Sequence, residues 1–192
     1  MAKKLDRRQK YTRLVLKESL LKLLEHQPIS TVTVKQICQH ADINRSTFYA
    51  HYKDQFDLLK KIEEEIIEDL YAYLDHYGAN LEKESIQMVE KLLDYIGDNQ
   101  QTFHILLNQN AAPAFEKRLQ DIAQHFMIQH WMKEQPVDEQ MSMYLSTFAV
   151  SGAIHVIKKW IARDMDLSHK RLSKMIYQFI NYGLSNLNEH KA

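Results

Sequence analysis

The sequence predicts an all-α protein, with an N-terminal three-helix helix-turn-helix unit followed by a C-terminal helical bundle. Three observations predict it. Only four Gly and three Pro occur among 192 residues, too few for the many turns of an all-β fold. Hydrophobic residues make up 45% of the chain and recur at helical spacing, so a packed core is expected. The formal net charge of zero hides a split: residues 1–61 hold 13 Lys/Arg against 6 Asp/Glu, and the rest holds 12 against 19. A basic N-terminal part on an acidic body is the footprint of a nucleic-acid reader.

Other classes find little support. The single cysteine, Cys38, excludes an internal disulfide and fits a reducing compartment. No apolar run follows Lys3 and Lys4, and no stretch approaches the ~20 apolar residues that span a bilayer, so a cytoplasmic location is expected. A Gly-rich phosphate loop, His-Glu-x-x-His, paired cysteines and Gly-x-Ser-x-Gly are all missing. The expectation is therefore a non-enzyme without cofactor or metal. The run Glu63, Glu64, Glu65, Glu68, Asp69 has no Glu-x-x-His partner and reads as a solvated helix face. His125 and His130 are five apart, which is not the spacing of a metal pair on one helix face.

The elements follow in order. Residues 1–13 carry Lys3, Lys4, Arg7, Arg8, Lys10 and Arg13, an arm suited to phosphates or a minor groove. Residues 11–26 form a first helix with Leu16, Leu20, Leu23 and Leu24 on one face, stopped before Pro28. Thr33 and Gln36 make a capping box for a short helix with Val34, Ile37 and Cys38 inward. Ala41, Asp42 and Ile43 form a tight turn in which Asp tolerates a left-handed backbone. Asn44 is the expected N-cap of the next helix, Arg45 to Tyr52. There Phe48 packs inward, while Arg45, Ser46 and Thr47 meet DNA. This is the helix-turn-helix plan.

Asp54 caps a longer helix ending near Gly78. Further helices carry Ile86 to Ile96, then Phe103 to Leu107 behind Asp98, then Phe115 to Trp131 behind Pro113. The last two helices, about 137–163 and 168–188, are apolar over more than one face, with Ala149, Ser151, Gly152 and Ala153 permitting close approach. A two-fold four-helix interface between chains is the natural use of that surface.

Residues 29–59, with Thr33-Val34-Lys35-Gln36-Ile37, Ala41-Asp42-Ile43 and Ser46-Thr47-Phe48-Tyr49-Ala50-His51-Tyr52, resemble the N-terminal domain of the TetR family of bacterial transcriptional regulators. The resemblance implies a helix-turn-helix joined to an all-helical ligand-binding and dimerisation domain, divided here as 1–55 and 56–192. It also implies that Thr47, Tyr49, His51 and their neighbours contact DNA. Two positions depart from the family: Asp42 stands where Gly is usual, and Gln55 where a phosphate-contacting Lys is usual. The C-terminal half resembles the branch that includes regulators of dihydroxyacetone kinase genes, some of which act through a protein partner.

The functional expectation is a homodimeric regulator placing two copies of residues 44–52 in successive major grooves of an inverted-repeat operator, about 34–36 Å apart. Lys35 and Arg45 are candidates for base readout, since both donate to guanine acceptors. Thr33, Ser46, Thr47, Tyr49, His51 and Lys53 are candidates for phosphates, with Asn44 at the helix start. A packing aromatic is the competing reading for Tyr49, and a surface or capping imidazole for His51. For an effector pocket the candidates are Phe103, His104, Leu107, Phe126, Trp131, Tyr144, Phe148 and His155, aromatic surface with a few polar tips. The regulator is expected to be a repressor released by a small-molecule effector. The alternative is an activator or co-regulator working through a protein partner, with no small-molecule pocket.

Overall fold

The structure, a computed structural model, describes residues 7–77, 81–107, 113–130 and 138–185. Among the described residues there are nine helices and no strand: α1 (Arg7–Leu24), α2 (Val34–Ala41), α3 (Arg45–Tyr49), α4 (Gln55–Tyr77), α5 (Leu81–Asp98), α6 (Gln100–Leu106), α7 (Pro113–His130), α8 (Glu139–Ala162) and α9 (His169–Ser185). The expected stops at Gly78 and Pro136, and Trp131, lie outside the described residues.

Contacts divide the chain into two compact units, Met1–Ile67 with Ile105–Phe115, and Glu68–His104 with Glu116–Ala192. The first division by contacts falls within α4. The reason is the apolar face of α4, where Leu58, Leu59, Ile62 and Ile66 are buried and belong to the first unit.

In the first unit α1 starts at Arg7, so part of the expected arm is helical. Leu16, Leu20 and Leu24 are fully buried, and Leu21 joins them in place of the half-buried Leu23. α1 packs on α2, and α2 on α3. The acidic run of α4 is not a uniformly solvated face. Glu63 is buried, and Glu65 takes ion pairs from Arg13 and Lys17 of α1.

In the second unit α5 packs along α9. Gly97 makes that approach possible, because a Cβ there would lie 2.8 Å from the His169 ring. His169 Nδ1 is 2.9 Å from Asp94 Oδ1, and the edge of the ring meets Trp160 at 5.2 Å. The His169 hydrogen bond holds the Asp94 carboxyl below the usual carboxylate range; Lys91 acts in the same direction, and burial opposes both. Between α8 and α9 the chain turns through two left-handed residues, Asp164 and Met165, while the Trp160 indole donates to the Leu167 carbonyl at 2.8 Å. α8 begins at Asp138, whose carboxylate accepts from the Met141 N–H. α7 and α8 share an apolar cluster around Met127 and Val150, and Lys158 of α8 pairs with Glu116 of α7 at 2.6 Å. No described helix is long and apolar enough to cross a membrane.

Candidate nucleic-acid interface

The helix-turn-helix is built by local bonds that its sequence specifies. Thr33 takes an extended backbone ahead of α2; its hydroxyl accepts from the Gln36 N–H at 3.3 Å, and Gln36 Oε1 accepts from the Thr33 N–H at 2.9 Å. This is the full capping box, and it satisfies donors that α2 leaves open. Ile37 and Cys38 face inward. Burial pushes the Cys38 thiol up, opposed by the nearby Arg45 charge, so Cys38 is a small core residue and no nucleophile.

α2 ends at Asp42, which sits in the left-handed region at φ 54° and ψ 43°. Its N–H and that of Ile43 both bond to the Cys38 carbonyl, the latter at 3.0 Å. That pair of hydrogen bonds ends α2 and turns the chain toward α3.

α3 is five residues long, too short to hold itself together in water. Phe48 holds it instead: the ring is fully buried, edge-on to Tyr49 at 5.6 Å and tilted against Tyr52 at 5.7 Å. With Phe48 anchored, the opposite side of α3 faces water. Asn44, Arg45, Ser46 and Tyr49 are exposed, Thr47 and His51 are half-buried, and Lys53 is exposed just beyond. Asn44 stands at the N-cap, but its side chain makes no cap bond; only its carbonyl serves the helix, accepting from Thr47 and Phe48. The expected side-chain cap is thus replaced by an amide turned to solvent. Tyr49 is 58% exposed, so its ring is mainly outside the packing. Lys53 is positioned through its backbone: its N–H donates to Asp57 Oδ2 at 3.0 Å, while Asp54 Oδ1 accepts from the Asp57 N–H at 2.8 Å.

Lys35 and Arg45, the two expected base readers, line one open recess of about 440 Å³ with Gln39, Asp42 and Asn44. Thr33 is exposed at the start of α2. Gln39 was not among the expected residues, although its position four after Lys35 on α2 puts it on the same face. Asp42 brings a carboxylate into this basic recess.

The residues expected to line an effector pocket are placed as follows. Phe103 is buried against Tyr95 at 6.0 Å, and His104 beside it is exposed. Leu107 is buried, Phe126 is half-buried, and Trp131 is outside the described residues. Tyr144 and Phe148 are 60% and 68% exposed on α8, and His155 is exposed with Nδ1 at 2.8 Å from the Ser151 carbonyl. These three stand with Met141 and Val156 on one outer stripe of α8, and Phe148 meets Phe179 of α9 at 6.5 Å. α9 adds exposed Met175, Phe179 and Tyr182 beside an open groove of about 730 Å³. Tyr144, Phe148 and His155 thus lie on an outer face of α8, while Ser142 and Ser146 turn inward.

The chain resembles known proteins in sequence and in fold. Residues 83–182 match the family TetR_C_8, described as transcriptional regulator C-terminal region. The chain is 21% identical over 178 residues, 86% of its length, to the uncharacterized HTH-type transcriptional regulator YxbF of Bacillus subtilis (strain 168). It spans 44% of the length of that relative. Among solved structures, the dihydroxyacetone kinase operon activator DhaS aligns with a TM-score of 0.62 at 18% identity, covering 91% of this chain and 96% of that one. NalD, the secondary repressor of the MexAB-OprM multidrug efflux pump in Pseudomonas aeruginosa, aligns with a TM-score of 0.70 at 11% identity, covering 93% and 98%.

Proposed function

We propose, from the premise that this chain belongs to the TetR family of DNA-binding transcriptional regulators, that it binds an inverted-repeat operator as a homodimer and reads it with α2 and α3. The observation that carries this reading is the capped α2, left-handed Asp42 and Phe48-anchored α3, which leave Lys35, Arg45, Ser46 and Tyr49 open on one unit. Lys35 and Arg45 are assigned to guanine edges in the major groove. Thr33, Asn44, Ser46, Thr47, Tyr49, His51 and Lys53 are assigned to phosphates and register. The dimer forms through the outer apolar face of α8 and α9.

Occupancy of the operator represses, and an effector that binds the C-terminal body more tightly in one of two head spacings releases it. The names of the structural neighbours include an activator and a repressor, so the fold by itself does not set this sign. The α8 residues expected to line an effector pocket are instead assigned to the dimer face.

The test is capture and sequencing of genomic fragments by the purified protein, followed by titration of wild type, Arg45→Ala and Lys53→Ala on the recovered site and on random duplex. Enrichment of a short inverted repeat is expected. Arg45→Ala should cost about 1–3 kcal/mol and relax preference at one base position, whereas Lys53→Ala should weaken all sequences alike. Equal losses on operator and random duplex for both variants would refute the division of roles.

A further inference from the structure

The first unit holds a cluster of charge that base reading does not use. An open recess of about 260 Å³ lies between α1 and α4, lined by Lys10, Arg13, Lys17, Lys61, Tyr52 and Glu65 among others. One carboxylate holds two of the cations: Glu65 Oε1 accepts from Arg13 at 3.2 Å and Oε2 from Lys17 at 3.1 Å. All three side chains stay open to water, at 34% for Arg13, 26% for Lys17 and 46% for Glu65. Lys61 is paired with Glu64 at 2.6 Å, and Lys10 makes no ion pair among the described residues.

We propose that this recess takes a phosphate of the DNA backbone, and that Glu65 sets the strength of that contact by occupying Arg13 and Lys17. The inference rests on the operator-binding reading above and adds a residue that governs specificity. With Lys61 taken by Glu64, three cations (Lys10, Arg13 and Lys17) against the one lining carboxylate still leave the recess positive, so it attracts an anion. Its Tyr52 wall lies between His51 and Lys53, and Lys10 continues toward the basic arm, so the recess joins the end of the reading stretch to the N-terminal charge. A carboxylate bridging an arginine and a lysine occupies the donors a phosphate would use. Because the bridge is exposed it is weak, and a phosphate can displace it.

The consequence is selective. Each cation given to a phosphate strengthens binding to every sequence alike. Holding two cations back lowers sequence-blind affinity without touching Lys35 or Arg45, so the ratio of operator to random binding rises.

The test uses the full-length protein and its Glu65→Gln and Lys10→Ala variants on random-sequence duplex over a series of salt concentrations, read by fluorescence anisotropy. Glu65→Gln should tighten random-duplex binding roughly three- to tenfold at low salt and steepen the dependence of log affinity on log salt by about 0.9 per phosphate gained. Lys10→Ala should weaken binding and make that slope shallower by about 0.9. On the operator, Glu65→Gln should narrow the operator-to-random ratio. A merely structural Glu65 would give the opposite sign, weaker binding with an unchanged slope, and that result overturns the proposal. Lys10 has no ion-pair partner among the described residues, so an unchanged slope in Lys10→Ala overturns the phosphate site even if Glu65→Gln folds poorly. A wild-type protein without operator preference would refute the operator reading instead, while the random-duplex slopes would still judge Glu65.

Discussion

Asp42 offers a test of the turn that positions the reading helix. It is a non-glycine residue at φ 54°, ψ 43°, at the junction of α2 and α3. A left-handed backbone costs an L-residue about 1–2 kcal/mol, less for Asp than for most. Asp42→Gly relieves that cost, and the larger freedom of Gly in the unfolded chain takes back roughly 0.4–1 kcal/mol. The net expectation is a gain of about 0.5–1 kcal/mol. For a chain of this size that corresponds to a rise in melting temperature of about 1–4 °C.

Charge makes a second, separable contribution. Asp42 shares its recess with Lys35 and Arg45, so removing the carboxylate should also tighten DNA binding. Asp42→Asn isolates that part, since Asn tolerates the left-handed region and carries no charge. The assays are thermal unfolding followed by far-ultraviolet circular dichroism and anisotropy titration of the operator. Both variants should bind DNA more tightly, but only Asp42→Gly should melt higher. An Asp42→Gly protein melting at or below wild type would refute the strain argument.

Three further outcomes follow from the second unit. Gly97→Ala should cost about 1–3 kcal/mol, because its Cβ would press on a His169 ring already held by Asp94 and Trp160; urea unfolding followed by tryptophan fluorescence reads the loss. The Asp94 carboxyl is lowered mainly by its bond from His169, so its stabilisation is complete above the unfolded-state pKa and is lost as pH falls through the folded-state value. Asp94→Asn should therefore flatten the acid-side fall in melting temperature and leave less to lose on acidification. A Cβ added at the exposed Gly152 meets no described atom within 4 Å, so Gly152→Leu should leave the isolated fold at least as stable; if α8 packs on a second copy there, sedimentation should show monomers.

Legibility of the sequence varied with how local the determinants are. The α2–α3 segment was readable almost residue by residue. The Thr33 and Gln36 box, the left-handed Asp42 and the buried Phe48 are each decided by neighbours within a few positions. Asn44 departed because a backbone carbonyl can close the first turn without its side chain. The role of Glu65 was not readable, since its partners Arg13 and Lys17 lie 52 and 48 residues away. Spacing within α4 said only that the carboxylate was on the helix surface. The division within α4 was equally hidden, because a continuous helix carries no boundary signal where its contacts change from one unit to the other.

On α8, exposure runs against side-chain hydrophobicity. Hydrophobicity assigns Tyr144 and Phe148 to the interior and the serines to water, and the structure inverts both. Ser142 and Ser146 are buried at 8% and 0% exposed, whereas Tyr144 and Phe148 are 60% and 68% exposed. For Ser146 the inversion is inexpensive: its hydroxyl donates to the Met143 carbonyl at 3.0 Å and accepts from the Gln124 amide at 3.2 Å, so that buried group is not stranded. On the outer side it leaves large apolar surface in water, where fully burying one such side chain is worth about 1.5–3 kcal/mol. A helix that turns small polar residues to its own core and aromatics outward has apolar surface left for a partner to cover. With Phe179 and Tyr182 of α9 beside it and Gly152 open in the same stripe, the surface suits two helices of a second copy better than a small molecule. On that reading the α8 and α9 face sets the distance between the two reading heads. An effector or protein partner that altered the packing of this helix pair would then act on operator affinity without touching α3.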